Sequence, residues 1–275
     1  MPENFADPTG TPDMNRIVGN YDLVLITLDT LRYDAAQALF AAGRLPTLAR
    51  HLPATGWQRR HTPGSFTYAA HQAFLAGFLP TPATPGPHPR PFAMAFPGSE
   101  TTAATTCCFA SADLASGLAE RGYHTLCIGG VGFFNKLTAL GQVLPGLFQE
   151  SHWSPAFGVT DPQSTEHQVA LAGQRLQEIP ERVFLLLNIS AIHQPNRHYL
   201  PGCAADNLDS HMAAMAYVDS ALAPLFAALE KRGAWVIICG DHGTTYGEDG
   251  YHGHRLAHPT VWDVPYAEFL IPSAT

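Results

Sequence analysis

The sequence predicts a three-layer α/β/α sandwich around a mostly parallel central sheet, on three observations. Four short apolar runs, DLVLITL at 22–28, His124–Ile128, Val183–Ile189 and Ala234–Cys239, are continuous rather than alternating, as expected of strands buried on both faces. A helical pattern lies between them. Polar residues of catalytic type stand just past the ends of these runs, where open sheets of this kind bind ligands.

The first run, rich in Val, Ile and Leu, predicts a strand over 22–28, and the other three are read in the same way. The clearest helix covers 208–231, with Leu208, Met212, Met215, Leu222, Phe226 and Leu229 on one face and Gly233 marking its end. Residues 80–98, PTPATPGPHPRPFAMAFPG, are too rich in proline and glycine for either element and are read as a loop. The 275 residues, 46% hydrophobic, fit a single domain over 1–275 with a flexible segment at 1–20.

Composition excludes some functions. A net charge of −8 and only 15 Lys and Arg, without a run, argue against a nucleic-acid partner. The opening MPENFADPTGTPDMNRIVGN lacks a basic start followed by an apolar stretch, and no later run approaches a membrane span, so the expectation is a cytoplasmic protein with no membrane partner. The five cysteines show no C-x-x-C spacing; Cys107 and Cys108 are adjacent, Cys127 and Cys239 lie in strand-like runs, and all are read as free thiols.

Chemistry concentrates at the strand ends. The first strand runs into Asp29, which serves either as a metal ligand or, with Thr30, as an N-cap for the next helix. The run WVIIC empties into GDHG, placing Asp241 and His242 side by side between glycines; carboxylate plus imidazole suits zinc, manganese or iron, and a turn with a capping Asp is the alternative. The loop GTTYGEDGYHGHR then brings His252 and His254 back towards the same edge.

The DHG…GE…G…HG segment resembles the last active-site motif of the alkaline phosphatase and sulfatase superfamily, and LITLDTLRYD resembles its first. TYAAHQAFLAG at 67–77 is similar to both the sulfatase and the nucleotide pyrophosphatase nucleophile patterns, with Ala69 and Ala76 replacing the usual proline and threonine. The resemblance implies an alkaline phosphatase-like fold with Thr67 as nucleophile, Asp29, Thr67, Asp241 and His242 around a metal, His193 and His254 as catalytic histidines at the phosphoryl oxygens, and His71 towards substrate; His252 is read as a further substrate contact from its place in the returning loop. The match at Thr67 also describes an ordinary N-cap. Asp219 is read as a structural partner and stays outside the site.

Threonine disfavours sulfatase chemistry that depends on a formylglycine, and Gly129, Gly130, Val131 and Gly132 stand where sulfatases carry G-K-W-H. The resemblance therefore implies a metal-dependent hydrolase that cleaves a phosphate or phosphonate ester of a small molecule through a phosphothreonine intermediate, in the manner of phosphodiesterases, nucleotide pyrophosphatases and phosphoethanolamine transferases. The alternatives are action on another ester, an inactive metal-binding scaffold, and a transferase, the last ranked lowest. The cofactor expected is one divalent cation, zinc or manganese first, then magnesium or calcium. Ile189 stands where two-metal members place a carboxylate, leaving only a weak second site at the histidines. The chain is short for the superfamily, so a partner subunit or a second copy is a candidate for supplying substrate-recognition parts.

Overall fold

The computed structural model describes residues 12–76 and 113–274. The 80–98 loop, Cys107 and Cys108 lie outside them.

Seven strands form one sheet in the order β2-β9-β6-β1-β5-β3-β4. They are β1 (Asp22–Leu28), β2 (Gln58–His61), β3 (His124–Ile128), β4 (Glu150–His152), β5 (Val183–Ile189), β6 (Ala234–Gly240) and β9 (Asp263–Ile271). A small separate hairpin pairs β7 (Thr245–Tyr246) with β8 (His252–Gly253). Strand β1 is central and parallel to both neighbours, with Leu28 opposite Ile189 of β5 and Gly240 of β6. Strand β9 runs antiparallel beside β6, and β2 closes that edge antiparallel to β9.

Alternate residues of the central strands enter two separate cores, the period-2 geometry of a strand covered on both faces. Val24, Ile26 and Leu28 join Leu185, Leu187, Val236 and Ile238 on one face. Leu23, Leu25, Phe184, Leu186 and Trp235 occupy the other.

The helices are α1 (Met14–Ile17), α2 (Tyr33–Ala41), α3 (Thr67–Ala76), α4 (Leu114–Glu120), α5 (Ala139–Val143), α6 (Ser164–Glu178), α7 (Leu208–Ala221), α8 (Ala223–Leu229) and α9 (Pro259–Trp262). The first face is covered by α2, α6, α7 and α8, through residues such as Leu39, Leu176, Met215 and Phe226. The second is covered by α3 and α4 through Tyr68, Leu75 and Leu118. Sheet and helices thus make the three layers, with the C-terminal ends of β1, β5 and β6 on one rim.

Three expectations change. The single helix over 208–231 is broken at Leu222, because Pro224 has no N–H and its ring clashes with the carbonyl four residues back. The stretch Leu208–Leu229 also passes the length and hydropathy test for a membrane span, with a mean hydropathy of 1.5, contrary to the reading that none does; half of that window is buried inside the fold, and core helices pass the same test. Residues 12–20 are ordered: Asp13 caps α1, Ile17 is fully buried, and the Gly19 amide donates to the Tyr123 hydroxyl at 2.7 Å.

Candidate active site

Asp29 extends β1 by one residue, its amide donating to the Ile189 carbonyl at 3.0 Å. It caps no helix: the N-cap of α2 is Arg32. Thr30 follows with φ +63°, a left-handed turn that aims its amide at Asp241 Oδ1, 3.2 Å away. Asp241 leaves the end of β6, and its Oδ1 accepts a second bond from the His242 amide at 2.9 Å. No helix follows Asp241 for it to cap, and this oxygen instead ties down the Thr30 turn and the next amide of its own chain. The other, Oδ2, is buried with no hydrogen-bond partner among the described residues, and so is Asp29 Oδ1.

His242 completes the cluster. Its Nδ1 lies 2.9 Å from the Gly243 carbonyl, which can only accept, so Nδ1 carries the proton and Nε2 presents a lone pair. That Nε2 is 3.8 Å from Asp29 Oδ1 and 3.7 Å from Asp241 Oδ2. Ligand atoms of Asp29, Asp241 and His242 all lie within 4.8 Å of one another. Gly243 is required here because a Cβ would sit 1.9 Å from the Thr260 carbonyl oxygen.

Thr67 reaches the same point from the opposite layer. It is the first residue of α3, and its Oγ1 is 3.2 Å from Asp29 Oδ2 and 3.4 Å from His242 Nε2. Its hydroxyl is thus turned into the cluster instead of back onto its own helix.

Burial raises the Asp241 carboxyl to about 7 and Asp29 to about 6, the latter also through its proximity to Asp241. Burial lowers His242 below the usual imidazole range. Two buried carboxylates with orphaned oxygens facing an imidazole lone pair are unfavourable by themselves and fit a divalent cation, and the mixed O and N donor set suits zinc or manganese.

The other histidines divide. His254 joins the cluster, its ring 4.7 Å from that of His242 and 5.5 Å from that of His193. Burial, with the nearby His242 and His193 rings, lowers His254 to about 3, so it is neutral. His193, just past β5, is half-buried with Nδ1 2.5 Å from the Gln194 carbonyl.

The two expected substrate histidines are corrections. His71 is fully buried and both ring nitrogens are engaged, with Nδ1 donating to the Thr67 carbonyl at 2.8 Å and Nε2 2.9 Å from Thr27 Oγ1. The four-residue spacing from Thr67 on α3 turns it under Thr67 rather than towards solvent. His252 is exposed on the β7–β8 hairpin, opposite Tyr246, and makes no ring contact with the other site histidines. Asp219 is structural as read: its carboxylate accepts from the Thr47 and Leu48 amides at 3.0 and 2.9 Å.

Sequence reasoning missed Asn188. It lies opposite Thr27 in the β1–β5 register and donates to Thr27 Oγ1 at 3.2 Å and to Asp29 Oδ2 at 3.5 Å. Its own Oδ1 accepts from the Gly130 and Val131 amides, each at 3.2 Å. The signal was present as one amide side chain inside the apolar LLLNI. Thr62, which donates to the Asp241 carbonyl, and Arg255, beside His254, were also passed over.

Solved structures of similar fold share this architecture at low identity. The C-terminal periplasmic domain of phosphoethanolamine transferase EptC from Campylobacter jejuni has a TM-score of 0.61 at 12% identity, covering 91% of this chain and 79% of that one. The corresponding periplasmic domain of EcEptC from Escherichia coli, in complex with Zn, has 0.59 at 13%, covering 94% and 74%. A protein in the alkaline phosphatase superfamily from Vibrio parahaemolyticus has 0.58 at 17%, covering 93% and 60%. No curated protein sequence matches the chain. The expectation of a cytoplasmic protein is corrected by these neighbours, two of which are periplasmic domains. The Sulfatase family model matches residues 22–268, from the first strand of the sheet to the last, and the chain accordingly belongs to the sulfatase family.

Proposed function

We propose that this chain is a metal-dependent phosphoesterase that works through a phosphothreonine at Thr67. The observation that carries the reading is the position of Thr67 Oγ1, in contact with both Asp29 and His242 at the head of α3. Asp29, Asp241 and His242 would hold a divalent cation, with Thr67 as a further ligand. A cation there lowers the proton affinity of the threonine hydroxyl and draws charge from a bound phosphoryl oxygen.

The chain's own groups supply the rest. The positive end of the α3 dipole, where Thr67 stands, favours an anionic group beside it. His254, neutral, is suited to donate a hydrogen bond to a phosphoryl oxygen, and the half-buried His193 beside it would give a proton to the departing oxygen. Asn188 and His71 hold Asp29 and Thr67 in register without touching substrate. Water or an alcohol then accepts the phosphoryl group from Thr67, and the product separates hydrolase from transferase.

The test is metal analysis of the purified protein together with turnover of 4-nitrophenyl phosphate, bis(4-nitrophenyl) phosphate and 4-nitrophenyl sulfate with Zn, Mn or Mg, and intact-protein mass spectrometry after a rapid quench. Phosphate ester turnover and a transient gain of one phosphoryl group, lost in Thr67→Ala, are expected. Preferred sulfate turnover would move the reading to another ester. Bound metal without turnover of any ester would leave a metal-binding scaffold.

A further inference from the structure

Against the Thr62–Ser65 segment that leads into α3 lies a cavity of about 260 Å³ whose wall chemistry is unlike that of the chain as a whole. The protein carries a net charge of −8, yet the charged or ionisable residues lining this cavity are Arg255 and His61, with no carboxylate among them. The cavity is pressed against α3: a Cβ at Gly64, in its wall, would lie 2.5 Å from the Ala70 amide in the helix that Thr67 begins. On the other side Thr62, also in the wall, donates to the Asp241 carbonyl. The cavity therefore shares its supports with the metal ligands and the nucleophile. A larger cavity of about 390 Å³, around His51 and Phe269, lies against β9.

Arg255 directly follows His254 and is held in an unusual way. Its φ of +68° is one that L-residues seldom adopt, and its amide is tied to the Ser65 carbonyl at 2.9 Å. The guanidinium stands over the Phe66 ring, 5.7 Å from its centroid, and Phe66 immediately precedes Thr67. No carboxylate lies within ion-pair distance of it among the described residues, although Arg32, Arg59, Arg175 and Arg232 all have such partners. The charge of Arg255 contributes to lowering both His242 and His254, so it acts electrostatically at the metal cluster. A planar cation braced on an aromatic ring, short of a counter-ion and aimed at a pocket without acids, is suited to a carboxylate or phosphate oxygen pair.

Deepening the phosphoesterase reading, on which it rests, we infer that this cavity is a substrate subsite in which Arg255 pairs with a second anionic group, a carboxylate or phosphate, on the part of the substrate that is not transferred to Thr67. The preferred substrates are then phosphate esters of acidic alcohols or phenols, rather than of neutral or cationic ones. Arg255 is a specificity-determining residue, with the Phe66 ring and the Ser65 carbonyl fixing its direction.

The test uses non-hydrolysable phosphonates, so that it does not depend on turnover. Binding of 4-carboxyphenylphosphonate and 4-carbamoylphenylphosphonate to the zinc-loaded protein is measured by calorimetry, in the natural protein and in Arg255→Gln and Arg255→Lys, each checked for folding by thermal unfolding. The carboxylate ligand is expected to bind about tenfold more tightly than the amide, the scale of one charge-assisted pair. That preference should vanish in Arg255→Gln and return in part in Arg255→Lys. Equal binding of both ligands by the natural protein, an unchanged preference in Arg255→Gln, or no binding of either ligand overturns the inference. The two readings fail separately: the full pattern of phosphonate binding without hydrolysis of any ester would support the subsite and sink the phosphoesterase, whereas ester hydrolysis without the preference would do the reverse.

Discussion

His242 donates through Nδ1 to the carbonyl oxygen of its own neighbour Gly243, and this one bond fixes which face of the imidazole meets Asp29. The bond is local, yet it sets the tautomer of a residue whose other nitrogen completes the cluster. Replacing His242 with Ala is expected to lower zinc affinity by about 10²-fold or more, read by competition with a chromogenic chelator. Undiminished affinity would remove His242 from the ligand set.

Proton release should accompany zinc binding. Burial holds Asp241 at about 7 and Asp29 at about 6, whereas both ionise near about 4 in an unfolded chain. Between those values the metal-free folded protein keeps protons that the unfolded chain has lost, so its stability falls as pH rises from about 4 to about 7. A bound cation relieves the same charge, and the gap in Tm between zinc-loaded and metal-free protein should widen from about pH 5 to about pH 8. A constant gap, or zinc-binding heats independent of buffer ionisation enthalpy, would contradict the account.

Thr67→Ala removes the proposed nucleophile while keeping α3, and is expected to lower ester turnover by about 10³-fold or more. Thr67→Ser, which keeps a hydroxyl at Oγ, should restore measurable turnover. Steady-state kinetics on both variants decides it, with zinc content measured alongside to separate lost chemistry from lost metal.

Asn188→Ala tests the support beneath Asp29. It would strand the Gly130 and Val131 amides, at about 1–3 kcal/mol for each buried donor left unpaired. Urea unfolding should show the loss, and zinc affinity should fall by about 10- to 100-fold as Asp29 loses its orienting donor. A variant as stable as the natural protein would refute this role.

Glu150 governs acid stability at the other end of the sheet. Arg175 binds it in two places, at 2.6 and 2.9 Å, and with His152 and His124 holds its carboxyl down at about 2. Because the folded value lies below the unfolded one, the stabilisation is complete above about pH 4.3 and disappears as pH falls through about 2. The cluster is partly solvated, so Glu150→Gln should cost about 1 kcal/mol or less at neutral pH. The difference between the two proteins should shrink to nothing at about pH 2, as followed by urea unfolding across the acid range.

Legibility in the sequence followed burial. The apolar runs of β1, β3 and β5 coincide with the observed strands, since a strand enclosed on both faces is drawn mostly from apolar residues. Strand β2, QRRH, is fully exposed at the sheet edge and carries no hydrophobic signal at all. The break between α7 and α8 was hidden because both helices continue one apolar face, and Pro224 outweighs that periodicity. Asp29, Asp241, His242 and Thr67 were readable through motif spacing, and their convergence is visible only in three dimensions. His71 misled because its spacing from Thr67 matches a motif, while α3 turns it inward. Arg255 was invisible because its importance lies in lacking a partner, which no linear pattern records.

The placement of β1 between β5 and β6 has a consequence for biogenesis. Asp29 is synthesised well before Asp241 and His242, and the strand that precedes them must slot in beside β1 before any ion could find a complete set of donors. A chain in which β6 has not yet paired with β1 would therefore lack the complete donor set, and ion capture at the proposed site would double as a readout that this parallel strand has docked.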